Sequence, residues 1–169
     1  SLGQVHFGRL KDGTEVAIKV PYPEIAKRVE AELNIMGWLP KVGPVAKWRF
    51  KMDGYRNEFW DNFREELDYI LEVKHQIRYR QLIPPLERIL VPEVIEGLCR
   101  PNVLVQKKEE GFGLEKAETM ISVQKQAMGR LLLDHYFHML FRYGFVHADL
   151  QPGNLAFRQF KKNYFVLIL

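Results

Sequence analysis

The spacing of apolar positions changes several times along the chain, and each change marks an element. Residues 5–20 run in short apolar blocks and alternations that predict two or more half-buried strands, and Lys11-Asp12-Gly13-Thr14 lies between them. An Asp-Gly pair there supplies the turn of a hairpin. Ser1 to Gly8 itself reads as strand–turn–strand. Pro21, Pro23 and Pro40 punctuate the next stretch, in which residues 25–39 read as a helix with Ile25, Val29, Leu33 and Met36 on one face. Residues 41–51, with Gly43-Pro44, are a break. A strong helix is predicted from about residue 58 to 81, its stripe being Phe59, Phe63, Leu67, Ile70 and Ile77, with Pro84-Pro85 as its stop. Val91-Pro92-Glu93-Val94-Ile95 and Val103-Leu104-Val105 read as strands, followed by a turn at Gly111-Phe112-Gly113. A long helix is predicted over about 119–143, with Gly144 as its left-handed closing residue and Tyr136, Phe137, Phe141 and Tyr143 as core.

Composition narrows the class only a little. A chain of 169 residues makes one domain or two small lobes, and 47% hydrophobic with 27% charged residues is ordinary for a globular protein. The net charge of +4 suits a phosphate-rich ligand or an anionic membrane surface, and equally a mildly basic soluble one. Lys and Arg are scattered without a long basic tract, so no nucleic-acid partner is expected. The single cysteine, Cys99, excludes an internal disulfide and a cysteine-based zinc site. No apolar run approaches the ~18 residues of a membrane span. His135 and His138 are three apart on a helix but lack an evident third metal ligand, and they read as amphipathic filler. His6 and His75 read as surface or pairing residues.

Three segments carry candidate chemistry. Lys19 sits inside the apolar run Val16-Ala17-Ile18-Lys19-Val20, where burial is costly unless an anion meets the ammonium. His147-Ala148-Asp149-Leu150-Gln151-Pro152-Gly153-Asn154 places a carboxylate and an amide at the interval that phosphoryl transfer uses to meet a hydroxyl and hold magnesium. Taken singly, the first is also an edge-strand lysine reaching into water and the second a polar turn. Their order, hairpin then lysine strand then Asp–Asn loop, points to nucleotide binding. Asp68 and Glu72 are four apart and would share a helix face, Glu66 pointing elsewhere, which makes Glu72 the candidate partner of Lys19. A solvated acidic face with local pairs such as Arg64–Asp68 is the alternative.

Ser1-Leu2-Gly3-Gln4-Val5-His6 resembles the end of the alanine-rich loop of the UbiB/AarF-type (ADCK) atypical kinases, and Glu66-Leu67-Asp68 resembles their E-x-D motif, with the glutamate of the same helix at Glu72. The loop from His147 to Asn154 is similar to the family's H-A-D-x-H-P-G-N, Gln151 replacing the second His. The resemblance covers nearly the whole chain in the right order. It implies an α+β, two-lobed kinase-like fold, truncated, with residues 1–105 as the small lobe and 106–169 as hinge and partial large lobe. It further implies ATP and magnesium as cofactors. Lys19 would contact the α/β phosphates, Glu72 would hold Lys19, and Gly3 and Gln4 would lie over the nucleotide. Asp149 would be the base or orienting carboxylate, Asn154 a magnesium ligand, and His147 and Gln151 would order the loop. By the same resemblance, the family's K-x-G-Q helices would precede residue 1 and a magnesium-binding Asp would follow Leu169, so residues 1–169 alone are expected to be inactive.

The family's biology is implied with it: a kinase or ATPase linked to isoprenoid quinone (ubiquinone) biosynthesis, intracellular and peripheral on a membrane, on the bacterial cytoplasmic side or in a mitochondrion or plastid. A lipid or quinone-precursor substrate and a complex with quinone-biosynthesis proteins would be its partners. Two departures stand out. Residues 103–111 should be the hinge that receives adenine, where the family has an apolar gatekeeper followed by an acid; here Gln106 and Lys107 stand instead. The other is Gln151. Alternative readings are a small-molecule phosphotransferase of the aminoglycoside or choline kinase type, and a nucleotide-binding pseudokinase scaffold.

Overall fold

The computed structural model describes residues 3–25, 31, 68–83, 88–162 and 164–169. The helix expected over 25–39, the break at 41–51, the first part of the helix expected from residue 58, and Pro84-Pro85 lie largely or wholly outside these residues, as do Ser1, Leu2 and Glu66.

Strands β1 (Gly3–Arg9) and β2 (Glu15–Pro21) form an antiparallel hairpin. Gly3–Arg9 is one continuous strand, so no turn interrupts the segment read as strand–turn–strand. The hairpin closes where expected. Gly13 takes φ +90°, its N–H donates to the Leu10 carbonyl, and the Asp12 carboxylate accepts from the Thr14 N–H at 2.9 Å. Strand β4 (Leu104–Lys107) adds on the far side of β2, giving the order β1-β2-β4. Helix α1 (Tyr69–Leu82) packs on this sheet through Val16, Tyr69, Val73, Cys99, Leu104 and Val105. Asp68 is extended (φ −89°, ψ 91°) and caps α1, its carboxylate accepting from the Ile70 N–H. It therefore does not share a helical face with Glu72, contrary to the four-residue spacing argument. Aspartate favours this place because its carboxylate satisfies an end N–H that the helix cannot.

Strand β3 is only Ile89–Leu90; of residues 91–95, only Val94 makes a bridge, to Gln106. The proline at 92 has no N–H for a ladder, which accounts for the missing strand there. After β4 a short helix α2 (Leu114–Glu118) precedes the long helix α3 (Ser122–Tyr143), which begins three residues later than expected. Gly144 takes φ 60° and ψ 23° and donates its N–H to the Leu140 carbonyl, closing α3 as its sequence position suggested. Strands β5 (Ala156–Lys161) and β6 (Tyr164–Ile168) form a second hairpin, and β3 joins β6 in parallel, in the order β3-β6-β5.

Two cores follow from these layers, with a third between them. One is the sheet of β1, β2 and β4 under α1. The second packs α2 and α3 on β5 and β6 through Met128, Leu131, Leu155, Phe157, Phe165 and Leu167. The third gathers Tyr79 of α1, Val91 and Met139 of α3 with Phe145, Val146 and Leu169 around them. The aromatic residues expected in the core of α3 are mostly outside it. Phe137, Phe141 and Tyr143 are exposed, Phe141 at 81%, because the buried stripe of α3 is Met128, Leu131, His135 and Met139.

Candidate active site

Lys19 lies in the middle strand of its sheet, opposite Val5 on β1 and Leu104 on β4. Capping by Asp68 starts α1 so that Glu72 falls in its first turn, facing the sheet. The Lys19 Nζ donates to both carboxylate oxygens of Glu72, at 2.6 and 2.8 Å. The ammonium also stands 5.0 Å from the centre of the Tyr69 ring. Tyr69 is one helical turn before Glu72 and fully buried, and its hydroxyl has no hydrogen-bond partner among the described residues. Burial, then the nearby Glu72 carboxylate, pushes its phenol above the ordinary value. Gly3 lies against this hydroxyl. A Cβ there would stand 2.5 Å from the Tyr69 oxygen and 2.6 Å from the Val20 carbonyl oxygen, so only glycine fits. Gln4 follows it, opposite Val20.

Gly144 turns the chain out of α3 into the loop that holds the second group of candidates. A 3-10 turn over Pro152–Asn154 ends it, with Asn154 N–H donating to the Gln151 carbonyl. The Asn154 amide nitrogen donates to Asp149 Oδ2 at 2.7 Å and to the Asp149 carbonyl at 3.0 Å. Gln151 donates to the same Oδ2 at 3.1 Å. One carboxylate oxygen of Asp149 thus takes two donors, while the other accepts no hydrogen bond among the described residues. The Asn154 side-chain oxygen, likewise unengaged, is a hard donor suited to a divalent cation. The Asp149 N–H donates to His147 Nδ1 at 3.3 Å, which requires that nitrogen to be unprotonated. Burial, the largest influence, pulls the imidazole below its ordinary value; Asp149 and Glu72 act in the opposite direction and Lys19 adds to the lowering. His147 therefore feels both the loop and the Lys19–Glu72 pair.

The segment read as a hinge is tied down at both ends. Lys107 pairs with Glu93 at 2.8 Å, and Lys108 with Glu15 at 3.6 Å. Arg158 of β5 pairs with Glu109 at 2.8 Å and donates to the Glu110 carbonyl. Gln106 meets Gln76 of α1. Sequence reasoning did not single out Tyr69, Gln76 or Arg158; the helical offsets of Tyr69 and Gln76 from Glu72, −3 and +4, were the available signal. His135 is buried and hydrogen-bonds the Tyr79 hydroxyl at 2.8 Å. Among the described residues no group of three or more His, Cys, Asp or Glu side chains could hold a metal ion. His6 and His75 are exposed, His75 lying edge-on to Phe145.

The family model of the ABC1 atypical kinase-like domain matches residues 1–168. A probable protein kinase UbiB of Photorhabdus laumondii is 32% identical over 164 residues, covering 92% of this chain and 30% of that protein. The counterpart of the same description in Serratia proteamaculans is 32% identical over 165 residues, with the same coverage. Among solved structures, the complex of Rv3197 with erythromycin from Mycobacterium tuberculosis superposes with a TM-score of 0.74 at 30% identity, covering 99% of this chain and 42% of that one. The chain spans about 30% of the length of the curated relatives it matches.

Proposed function

Because the chain belongs to the ABC1 atypical kinase-like domain family, we propose that it forms the nucleotide-binding and catalytic-loop part of a UbiB-type kinase or ATPase. The observation that carries this reading is the bidentate Lys19–Glu72 pair beside a loop in which Asn154 and Gln151 orient Asp149. These residues suit ATP with magnesium. The half-buried ammonium of Lys19 meets phosphate oxygens, and Glu72 holds it in place. Gly3 and Gln4, at the end of the hairpin beside Lys19, cover the nucleotide. Asn154 offers its oxygen to the cation, which when bound neutralises phosphate charge. Asp149, held through Oδ2, keeps Oδ1 for the acceptor hydroxyl or water. His147 accepts the Asp149 N–H and sets the loop rather than moving protons. A division into lobes at residues 1–105 and 106–169 belongs to this reading, with the β3–β6 pairing and the Tyr79–Met139 core joining the two parts.

The proposed setting is isoprenoid quinone biosynthesis, by resemblance to the UbiB relatives. There the protein would act inside the cell at a membrane surface, on or beside a lipid or quinone precursor and with other proteins of that process. Among the described residues no helix is long and apolar enough to cross a membrane, and the net charge of +4 suits contact with an anionic one. Asp149→Asn in the full-length protein is expected to lower magnesium-dependent ATP turnover by roughly 10²–10⁴ while leaving nucleotide affinity close to that of the native protein. Native-like turnover in this variant would refute the kinase-type mechanism. Nucleotide binding without turnover in the native protein would favour the scaffold reading.

A further inference from the structure

We infer that Gln76 is a positioning residue for the Lys19–Glu72 pair, an inference that rests on the nucleotide-binding reading above. Gln76 lies four residues after Glu72, on the same face of α1 and one turn further along. Its amide nitrogen donates at 2.7 Å to the side-chain oxygen of Gln106 and at 2.9 Å to the carbonyl of Pro92. Gln106 is on β4 opposite Ala17, two residues from Lys19 on β2, and Leu104, opposite Lys19, is two residues from Gln106. Side chains two apart on a strand share a face, and so do those opposite each other in a pair. Lys19 and Gln106 thus project from adjacent strands toward the same helix. There they meet Glu72 and Gln76, closing a frame of two strands and two helical turns.

The two sides of this frame are unequal. Lys19 and Glu72 are 23% and 40% exposed, and a single ion pair that water reaches adds little to the hold on a helix. The Gln76 amide, part-buried as that pair is, is anchored to a main-chain carbonyl and a strand residue together. It fixes the rotation of α1 about its axis, and the ion pair follows from that rotation. The clasp also accounts for Gln106, the polar residue where an apolar gatekeeper was expected. Gln76 and Pro92 line a groove of about 560 Å³ between α1 and residues 92–96, which leaves room for α1 to shift when the clasp is broken.

The test is Gln76→Met in the full-length protein. Methionine keeps the length and helix propensity of glutamine but cannot donate. Magnesium–ATP affinity should fall roughly three- to tenfold with the fold retained by circular dichroism. Glu72→Gln is expected to weaken binding in the native background and to cost nothing further when added to Gln76→Met. A general loss of stability would leave the Glu72→Gln penalty in place. In a crystal structure of Gln76→Met, the Lys19–Glu72 separation should exceed the 4 Å of an ion pair. Retention of the native separation, or of the full Glu72→Gln penalty, would overturn the inference. Lys19→Met separates the two levels: if it leaves affinity unchanged, the nucleotide-binding reading has failed, and the crystallographic separation still decides the role of Gln76.

Discussion

Glycine at position 3 and tyrosine at position 69 form a contact in which each constrains the other. Gly3→Ala would drive a methyl group against the Tyr69 oxygen and the Val20 carbonyl, both closer than Cβ atoms approach. Such overpacking costs about 1–3 kcal/mol. Tyr69→Phe removes a buried hydroxyl that has no partner among the described residues, so it should be neutral or slightly stabilising. Adding it to Gly3→Ala should give only partial relief, because the Val20 carbonyl remains. Chemical denaturation of the four proteins would check this, and a loss of more than about 2 kcal/mol in Tyr69→Phe would mean that the hydroxyl has a partner. His147 provides a pH test. Its folded-state value is lowered from 6.5, so the unfolded chain takes up the proton first. Its contribution should be fully present above 6.5 and lost as pH falls through the window between 6.5 and the lower folded value. Unfolding midpoints of native protein and His147→Gln across pH 7.5 to 4.5 should diverge in that window, with the variant less sensitive to acid over about that range. Parallel curves would contradict the assigned burial.

Helix α3 shows what pattern reading captures at the level of an element. Its long periodic run and the Gly144 stop were legible because capping chemistry is local. Gly144→Ala should cost about 1–2 kcal/mol, the strain of an L residue at φ 60°, measured by urea unfolding. A cost near zero would mean that the helix ends otherwise in solution. The buried face of α3 was not legible from its aromatics. Burial there follows from which residues β5, β6 and α1 reach, and those are Met128, Leu131, His135 and Met139 rather than Phe137 and Phe141. The boundary at Asp68 misled for a related reason: an aspartate four residues before a glutamate fits both a helix interior and a cap. Only the backbone decides, and here it is extended. The Val91–Ile95 run failed as a strand because Pro92 withholds an N–H. Hydrophobicity alone did not register that.

At the scale of the molecule, α1 connects the two groups of candidate residues. Its first turn carries Glu72 to Lys19, and near its end Tyr79 hydrogen-bonds His135 and packs against Phe145 and His147. The Lys19–Glu72 contact spans 53 residues, and its members were legible because a lysine in an apolar strand and a glutamate on a helix are each conspicuous. The Asp149-to-Asn154 interval was legible in the sequence, whereas the hydrogen bonds of Asn154 and Gln151 to Asp149 were not read from it. Gln76, Arg158 and the Tyr79–His135 bond were not legible, since pairing across distant elements leaves no local mark. The central claim is that these residues bind a magnesium nucleotide through Lys19. Isothermal titration calorimetry of the full-length protein with ATP and magnesium, native beside Lys19→Met, tests it most directly. Native protein is expected to bind with saturable heat and the variant at least tenfold more weakly, with circular dichroism unchanged, since loss of a pair that water reaches costs only about 0–1 kcal/mol of stability. Equal affinity in the two proteins, or no binding to either, would contradict the account.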